Sequence, residues 1–205
     1  MTGRVYAILL AAGFSSRFGS GNKLLAPFRG KPLAQHTIDL ICGPCRELFA
    51  GIFAVYSDEQ VAALIKVSDI VLINNNAPEK GQGESVSLGV QAAQAAADDF
   101  LFFFPCDQPF LDADTVRQIY AARRTGCIVE PCCETARYGN RGGSPCLFSG
   151  VFRQELMSLR EGEAPRIIKA RHSQAVIRVT VSDPLVLADI DDREMLKALD
   201  SASYT

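Results

Sequence analysis

Histidine is scarce in this chain. Of its 205 residues only His36 and His172 are imidazoles, and both lack metal-ligand partners nearby in sequence. No His- or Cys-based nucleophile constellation stands out, so reactions built on a general base or a covalent intermediate have little to draw on. Long apolar runs are missing as well. The stretch Val5 to Leu10 gives way to Gly13 and then to charge, whereas a membrane span needs about 20 apolar residues. A cytoplasmic protein with no membrane contact is therefore expected. An excess of one charge is missing too, since the net charge is −2. A nucleic-acid-coating surface carries a basic footprint, so a small partner is expected and no nucleic acid. Internal repeats, low-complexity tracts and linkers are also lacking.

What is present fits one globular domain spanning 1–205. Hydrophobic residues make up 48% and charged residues 21%, a balance that argues for a folded rather than a disordered chain. A chain of this length buries roughly 70% of its unfolded surface. The cysteines are Cys42, Cys45, Cys106, Cys127, Cys132, Cys133 and Cys146, an odd number read as reduced thiols. Cys42-Gly-Pro-Cys45 has the spacing of a redox or zinc half-site. No second C-x-x-C answers it, and the adjacent Cys132-Cys133 pair has poor chelate geometry; a zinc or redox module stays as an alternative.

Strand and helix patterns alternate, which predicts α/β architecture with helices on the faces of a sheet. Strands are expected at Val5 to Leu10, Gly51 to Tyr56, Asp69 to Asn74, Phe100 to Phe104, Cys127 to Cys132, Pro145 to Phe148 and Val176 to Val181. Helices are expected at Lys31 to Ile41, Asp58 to Lys66, Gly83 to Ala97, Asp112 to Arg124, Val151 to Leu159 and Arg193 to Leu199. Tyr138 to Ser144 reads as a polar, glycine-rich loop, and the alternation in Leu187 to Asp191 puts Asp189 and Asp191 on one face and Ile190 on the other.

The segment from Ala7 to Lys23 runs from the first strand into a turn carrying Gly13, Ser15, Ser16, Arg17, Gly19, Gly21 and Lys23. It reads as a phosphate cradle: Gly13 can take the positive φ of a tight turn, bare glycine backbone lets N–H groups close on an anion, and Arg17 and Lys23 add fixed positive charge. It is not a Walker loop, because Leu24 follows the lysine. Nor do the glycines have the G-x-G-x-x-G spacing of a dinucleotide fingerprint. Asp107 stands at the carboxyl end of an apolar strand, where open α/β sheets bind ligands, and a magnesium ligand is its physical use. Capping the following helix is the alternative, which Asp112 fills better. Asp189 and Asp191, close to a phosphate site, make sense as metal ligands; helix-dipole complementation readily explains Asp192 and is the competing explanation for Asp191.

The pattern Leu-x-Ala-Gly-x-Ser-x-Arg-x-Gly-x-x-Lys resembles the opening of the MobA-like nucleotidyltransferase family, and the resemblance extends from Leu10 to about Leu199. It implies a Rossmann-like three-layer α/β/α fold with a mostly parallel sheet. It also implies nucleotide contacts from Leu10, Ala11, Ala12, Gly13, Ser15, Arg17 and Lys23. Leu10-Ala11-Ala12-Gly13 is similar to the branch that makes molybdopterin cytosine dinucleotide, where the guanylyl branch usually has glycine at position 12. Ser85 and Ser87 match a stretch beside the base and ribose, with N-capping by Ser85 as the alternative. The segment around Asp191 resembles the family's Asp-Ile-Asp-Thr-Pro-Glu-Asp, so Asp107 and Asp191 are expected to share Mg²⁺. Cys106 replaces the usual glycine before Asp107, and Asp192-Arg193-Glu194 replaces Thr-Pro-Glu. On the acceptor side, Gly143, Ser144 and Arg166 match, although Ser144 stands where asparagine or histidine is common and Arg166 is also readable as surface charge.

The activity this implies is CTP:molybdopterin cytidylyltransferase, with catalysis by Arg17, Lys23 and Asp107 and with a molybdoenzyme as a client. Guanylyl transfer, transfer to another phosphorylated acceptor, and a non-catalytic nucleotide-binding maturation factor are the alternatives.

Overall fold

The computed structural model describes residues 3–13, 18–19, 21–66, 69–135 and 139–201. Strand β1 (Val5–Ala11) is apolar throughout and is flanked by two equally apolar strands, β4 (Gly51–Tyr56) and β6 (Phe100–Pro105). Burial on both faces is what such continuous apolar runs require of a parallel sheet. Outside β4 lies β5 (Ile70–Asn74), and beyond β6 come β9 (Cys146–Ser149), β7 (Ile128–Thr135) and β10 (Val176–Thr180). The order is β10-β7-β9-β6-β1-β4-β5, with β8 (Gly139–Gly142) paired to β7. Among the described residues only β9 and β8 run against the others. A separate two-residue ladder joins β2 (Pro27–Phe28) to β3 (Lys31–Pro32).

Helices cover both faces. Ala7 and Leu9 of β1 pack with α1 (Leu33–Cys42), α2 (Glu59–Ile65) and α4 (Ala113–Ala121). The alternate residues Tyr6 and Ile8 pack with α3 (Gln82–Ala93), α5 (Arg153–Met157) and α6 (Arg166–Arg171). The three-layer α/β/α expectation is met, and the period-2 alternation of β1 decides which residue meets which layer. Gly89 lets α3 sit close: a Cβ there would lie 2.5 Å from Ile8 Cγ2. A smaller cluster of Phe18, Phe28, Leu33, Ile190 and Leu196 seats α7 (Arg193–Ser201).

Several expected boundaries move for local reasons. Lys31 and Pro32 belong to β3, so α1 begins at Leu33. Helix α3 stops at Ala93, because Gln94 adopts a left-handed φ of 47°. The expected glycine-rich loop contains β8, and the expected Val151 helix opens as a 3₁₀ turn at Gly150–Phe152. The alternating segment before α7 is not a strand: Asp183 caps a 3₁₀ turn at Pro184–Leu187. Among the described residues no helix is long and apolar enough to cross a membrane.

Candidate active site

Strand order reverses at β1, with β4 on one side and β6 on the other, and open α/β sheets bind ligands at such a switch point. Leu10 of β1 lies in register with Pro105 of β6 there. A cavity of about 290 Å³ opens at these carboxyl ends, lined by residues that include Leu10, Ala12, Gly13, Lys23, Ser85 and Asp107.

Lys23 and Asp107 form the charged centre. Asn22 accepts from the N–H of Leu24 and caps the short 3₁₀ turn that carries Lys23. Lys23 Nζ donates to Asp107 Oδ2 at 2.6 Å and to the Ile190 carbonyl at 3.2 Å, and lies 3.7 Å from Asp191 Oδ1. The Lys23 and Asp107 side chains are 11% and 20% exposed, whereas Asp191 is 45% exposed; the Asp107 contact is thus the less screened of the two. Asp107 Oδ1 is buried and has no hydrogen-bond partner among the described residues. Asp189 is raised to about 6 by the protein packed round its carboxyl, then by the charges of Asp107 and Asp191, against the opposing effects of Gln108 and Lys23. Since Asp189 keeps an exposed surface, water offsets part of the burial effect, and the two neighbouring carboxylates carry the direction.

The other expected nucleotide residues divide. Leu10, Ala12, Gly13 and Ser85 line the cavity. Gly13 departs from expectation in its backbone: Gly19 and Gly21 take φ of 80° and 92°, and Gly13 does not take a positive φ. Ala11 is buried in the core under α1 and does not line the cavity. Ser85 does not cap α3; it is buried and accepts from Asn75 Nδ2 at 3.0 Å. Ser87 is turned to another task, donating to the Met157 carbonyl at 3.1 Å, and does not line this cavity. Ser15 and Arg17 lie outside the described residues.

A second cavity of about 120 Å³ shares Leu10, Gln82 and Pro105 with the first and adds Ser144, Arg166 and Lys169. Of the expected acceptor residues, Ser144 and Arg166 line it, whereas Gly143 faces a separate groove with Leu187, Asp189 and Asp191. Gly162, with φ of 76°, donates its N–H to the Lys80 carbonyl at 2.9 Å and so docks the segment before Arg166 against the start of α3.

Sequence reasoning missed three residues. Asn75 holds Ser85 and accepts from the N–H of Ala77, which shapes the cavity rim. Gln108 donates to the carbonyls of Ser144 and Leu187; its place beside Asp107 was the available signal. Lys169 belongs to α6, a helix too short to announce itself. Meanwhile Cys45 is buried and pushed up to about 11, and burial also raises Cys42. That direction opposes the thiolate needed for zinc or redox work. Among the described residues no group of three or more His, Cys, Asp or Glu side chains could hold a metal.

Comparison with known proteins agrees with this geometry. The model of the MobA-like NTP transferase domain matches residues 7–176. Nicotine blue oxidoreductase of Paenarthrobacter nicotinovorans is 26% identical over 95% of this chain and 96% of its own. Molybdenum cofactor guanylyltransferase of Yersinia pestis (strain Pestoides F) is 30% identical, and the match spans 60% of each chain. A nucleotidyl transferase from Methanothermobacter thermautotroptrophicus superposes with a TM-score of 0.79 at 18% identity, covering 96% of both chains. Rv0371c of Mycobacterium tuberculosis H37Rv, also solved as a manganese complex, gives 0.77 at 20% identity, covering 98% of this chain and 100% of its own. With the family match spanning most of the sheet and both cavities, the chain belongs to the MobA-like NTP transferase domain family.

Proposed function

We propose that this protein is a metal-dependent nucleotidyltransferase that moves CMP from CTP to the phosphate of a molybdopterin-type acceptor and releases pyrophosphate. One observation carries the reading: a largely buried lysine at the sheet's switch point bridges two carboxylates from distant segments. Lys23 neutralises charge on the triphosphate and the departing pyrophosphate, Arg17 assists, and the cavity around Leu10, Ala12, Gly13 and Ser85 takes the nucleoside. No side chain need act as general base, because a phosphate monoester with a second pKa near 6 is largely dianionic at neutral pH.

The orphaned, buried Asp107 Oδ1 fits a cation, and Asp107 and Asp191 would hold Mg²⁺, which needs only one or two carboxylates from protein. When bound, the ion supplies further neutralisation of phosphate charge.

Cytidylyl preference rests on Ala12, whose methyl crowds a purine. Guanylyl transfer is the second reading, favoured by the names of the Yersinia relatives. Pyrophosphate release from each nucleoside triphosphate, with molybdenum cofactor as acceptor, tests the proposal. Release driven by CTP supports it, release driven by GTP supports the second reading, and nucleotide binding without release makes the protein a non-catalytic maturation factor. A redox dye assay run alongside tests the chemistry in the Paenarthrobacter relative's name.

A further inference from the structure

The second cavity contains a charge arrangement that the nucleotide chemistry does not use. Glu130 of β7 is on the sheet face that packs α6 and is 5% exposed. Its Oε2 accepts from Lys169 Nζ at 2.6 Å, and its Oε1 accepts from Arg178 Nε at 3.2 Å. Arg178 sits directly opposite on β10, paired in register with Glu130. A buried carboxylate requires a partner, but Arg178 already supplies one. Lys169 therefore makes the cluster net positive, one carboxylate against two cations, and it is Lys169 that lines the cavity.

The ammonium has three donors. Glu130 takes one and the Cys146 sulfur, at 3.5 Å, accepts another weakly; among the described residues the third has no protein acceptor. Burial pushes the Cys146 thiol up to about 11, so at neutral pH it brings no charge of its own. Arg166 adds a second cation to the same wall, and Pro105 lines it with the buried Phe103 and Phe148 behind. The chemistry this recognises is a hydrogen-bond-accepting oxygen or nitrogen presented to the Lys169 ammonium. Because the cavity shares Leu10, Gln82 and Pro105 with the nucleotide cavity, a ligand seated in it adjoins the nucleotide.

We propose that Lys169 selects the acceptor by donating a hydrogen bond to an oxygen or nitrogen of its unphosphorylated part, with Glu130 as the positioning residue that fixes the ammonium. The inference rests on the nucleotidyl-transfer reading for the identity of the acceptor. It is separable from that reading by experiment. Lys169→Met retains the bulk of the side chain and leaves Glu130 paired with Arg178, so the variant is expected to fold.

The test measures KM for acceptor and for nucleotide, together with equilibrium binding of molybdenum cofactor by calorimetry, in wild type, Lys169→Met and Glu130→Gln. Expected for Lys169→Met is a rise of about 10- to 100-fold in acceptor KM and Kd, the range for losing one hydrogen bond to a charged group, with nucleotide KM unchanged. Glu130→Gln is expected to show a smaller rise in the same constant alone. A Lys169→Met protein that turns over with wild-type acceptor KM overturns the proposal and leaves nucleotidyl transfer standing. Lys169-dependent cofactor binding without pyrophosphate release upholds the cavity and removes nucleotidyl transfer. A wild-type protein that does not bind the cofactor overturns both.

Discussion

The main-chain N–H of Ile190 donates to the carbonyl of Asp107 at 3.0 Å, fastening two acidic segments that are far apart in sequence. Ile190 is fully buried with Phe28, Leu33 and Leu196, so an apolar anchor fixes Asp191, the next residue, beside the charged centre. The Ile190 carbonyl in turn accepts from Lys23. Packing energy from a small satellite core is thereby converted into the placement of a carboxylate.

Replacing Lys23 by alanine leaves Asp107 and Asp191 without the ammonium they share. Turnover is expected to fall by about 10² or more, the loss typical of one preorganised charge-stabilising donor. Steady-state pyrophosphate release measures it; unchanged kinetics would remove Lys23 from the site.

Nucleotide choice is expected to depend on Ala12. A methyl-sized difference is worth about 1–3 kcal/mol, or about 10- to 200-fold. Wild type should favour CTP over GTP within that range, and Ala12→Gly should narrow the ratio. Equal kcat/KM for the two nucleotides in wild type contradicts this assignment.

A stability effect separate from the site is expected at Gly89. The Cβ of Gly89→Ala would meet Ile8 Cγ2 at 2.5 Å, and overpacking of this kind costs about 1–3 kcal/mol. Because α3 also carries Ser85, nucleotide affinity should fall with it. Thermal melting should drop by roughly 2–12 °C for a chain of this size; an unchanged Tm would mean that α3 relaxes freely.

Asp99 should give the fold an acid-sensitive element. Burial opposes its ionisation, but the N–H groups of Ala96 and Arg4 and the Arg4 guanidinium outweigh that and hold its carboxyl below the usual range. The folded value thus lies below the unfolded value of about 3.9. The stabilisation is fully present above the unfolded value and is lost as pH falls through the folded one. Asp99→Asn should lower stability at neutral pH and flatten the acid limb of a denaturation profile taken between neutral pH and pH 2. An acid limb as steep as wild type would contradict the account. Asp99 immediately precedes β6 and does not line the cavity, so turnover per folded molecule should not change.

The sequence made the central strands legible because β1, β4 and β6 are apolar runs bounded by turns, and burial on two faces leaves a continuous signal. It made Lys23 and Asp107 legible because each follows such a strand or its turn. What escaped is non-local. Strand β8 exists because β7 offers it a ladder, which a polar, glycine-rich segment cannot announce. Glu130 and Lys169 are 39 positions apart, on a strand and on a six-residue helix, and only sheet packing joins them. The alternation around Ile190 correctly separated a buried residue from two acids, yet a proline-led 3₁₀ turn rather than a strand precedes it.

The central claim is that Asp107 and Asp191 act through one magnesium ion. The direct measurement is turnover against magnesium concentration for Asp107→Asn, Asp191→Asn and the double variant, with folding checked by melting. Each single variant is expected to lose turnover greatly and to need more magnesium, and the double variant to lose far less than the product of the two losses, because both act on one ion. An Asp191→Asn enzyme with wild-type magnesium dependence, and at most the roughly 0.3–1 kcal/mol stability loss of a helix-start charge, would contradict it.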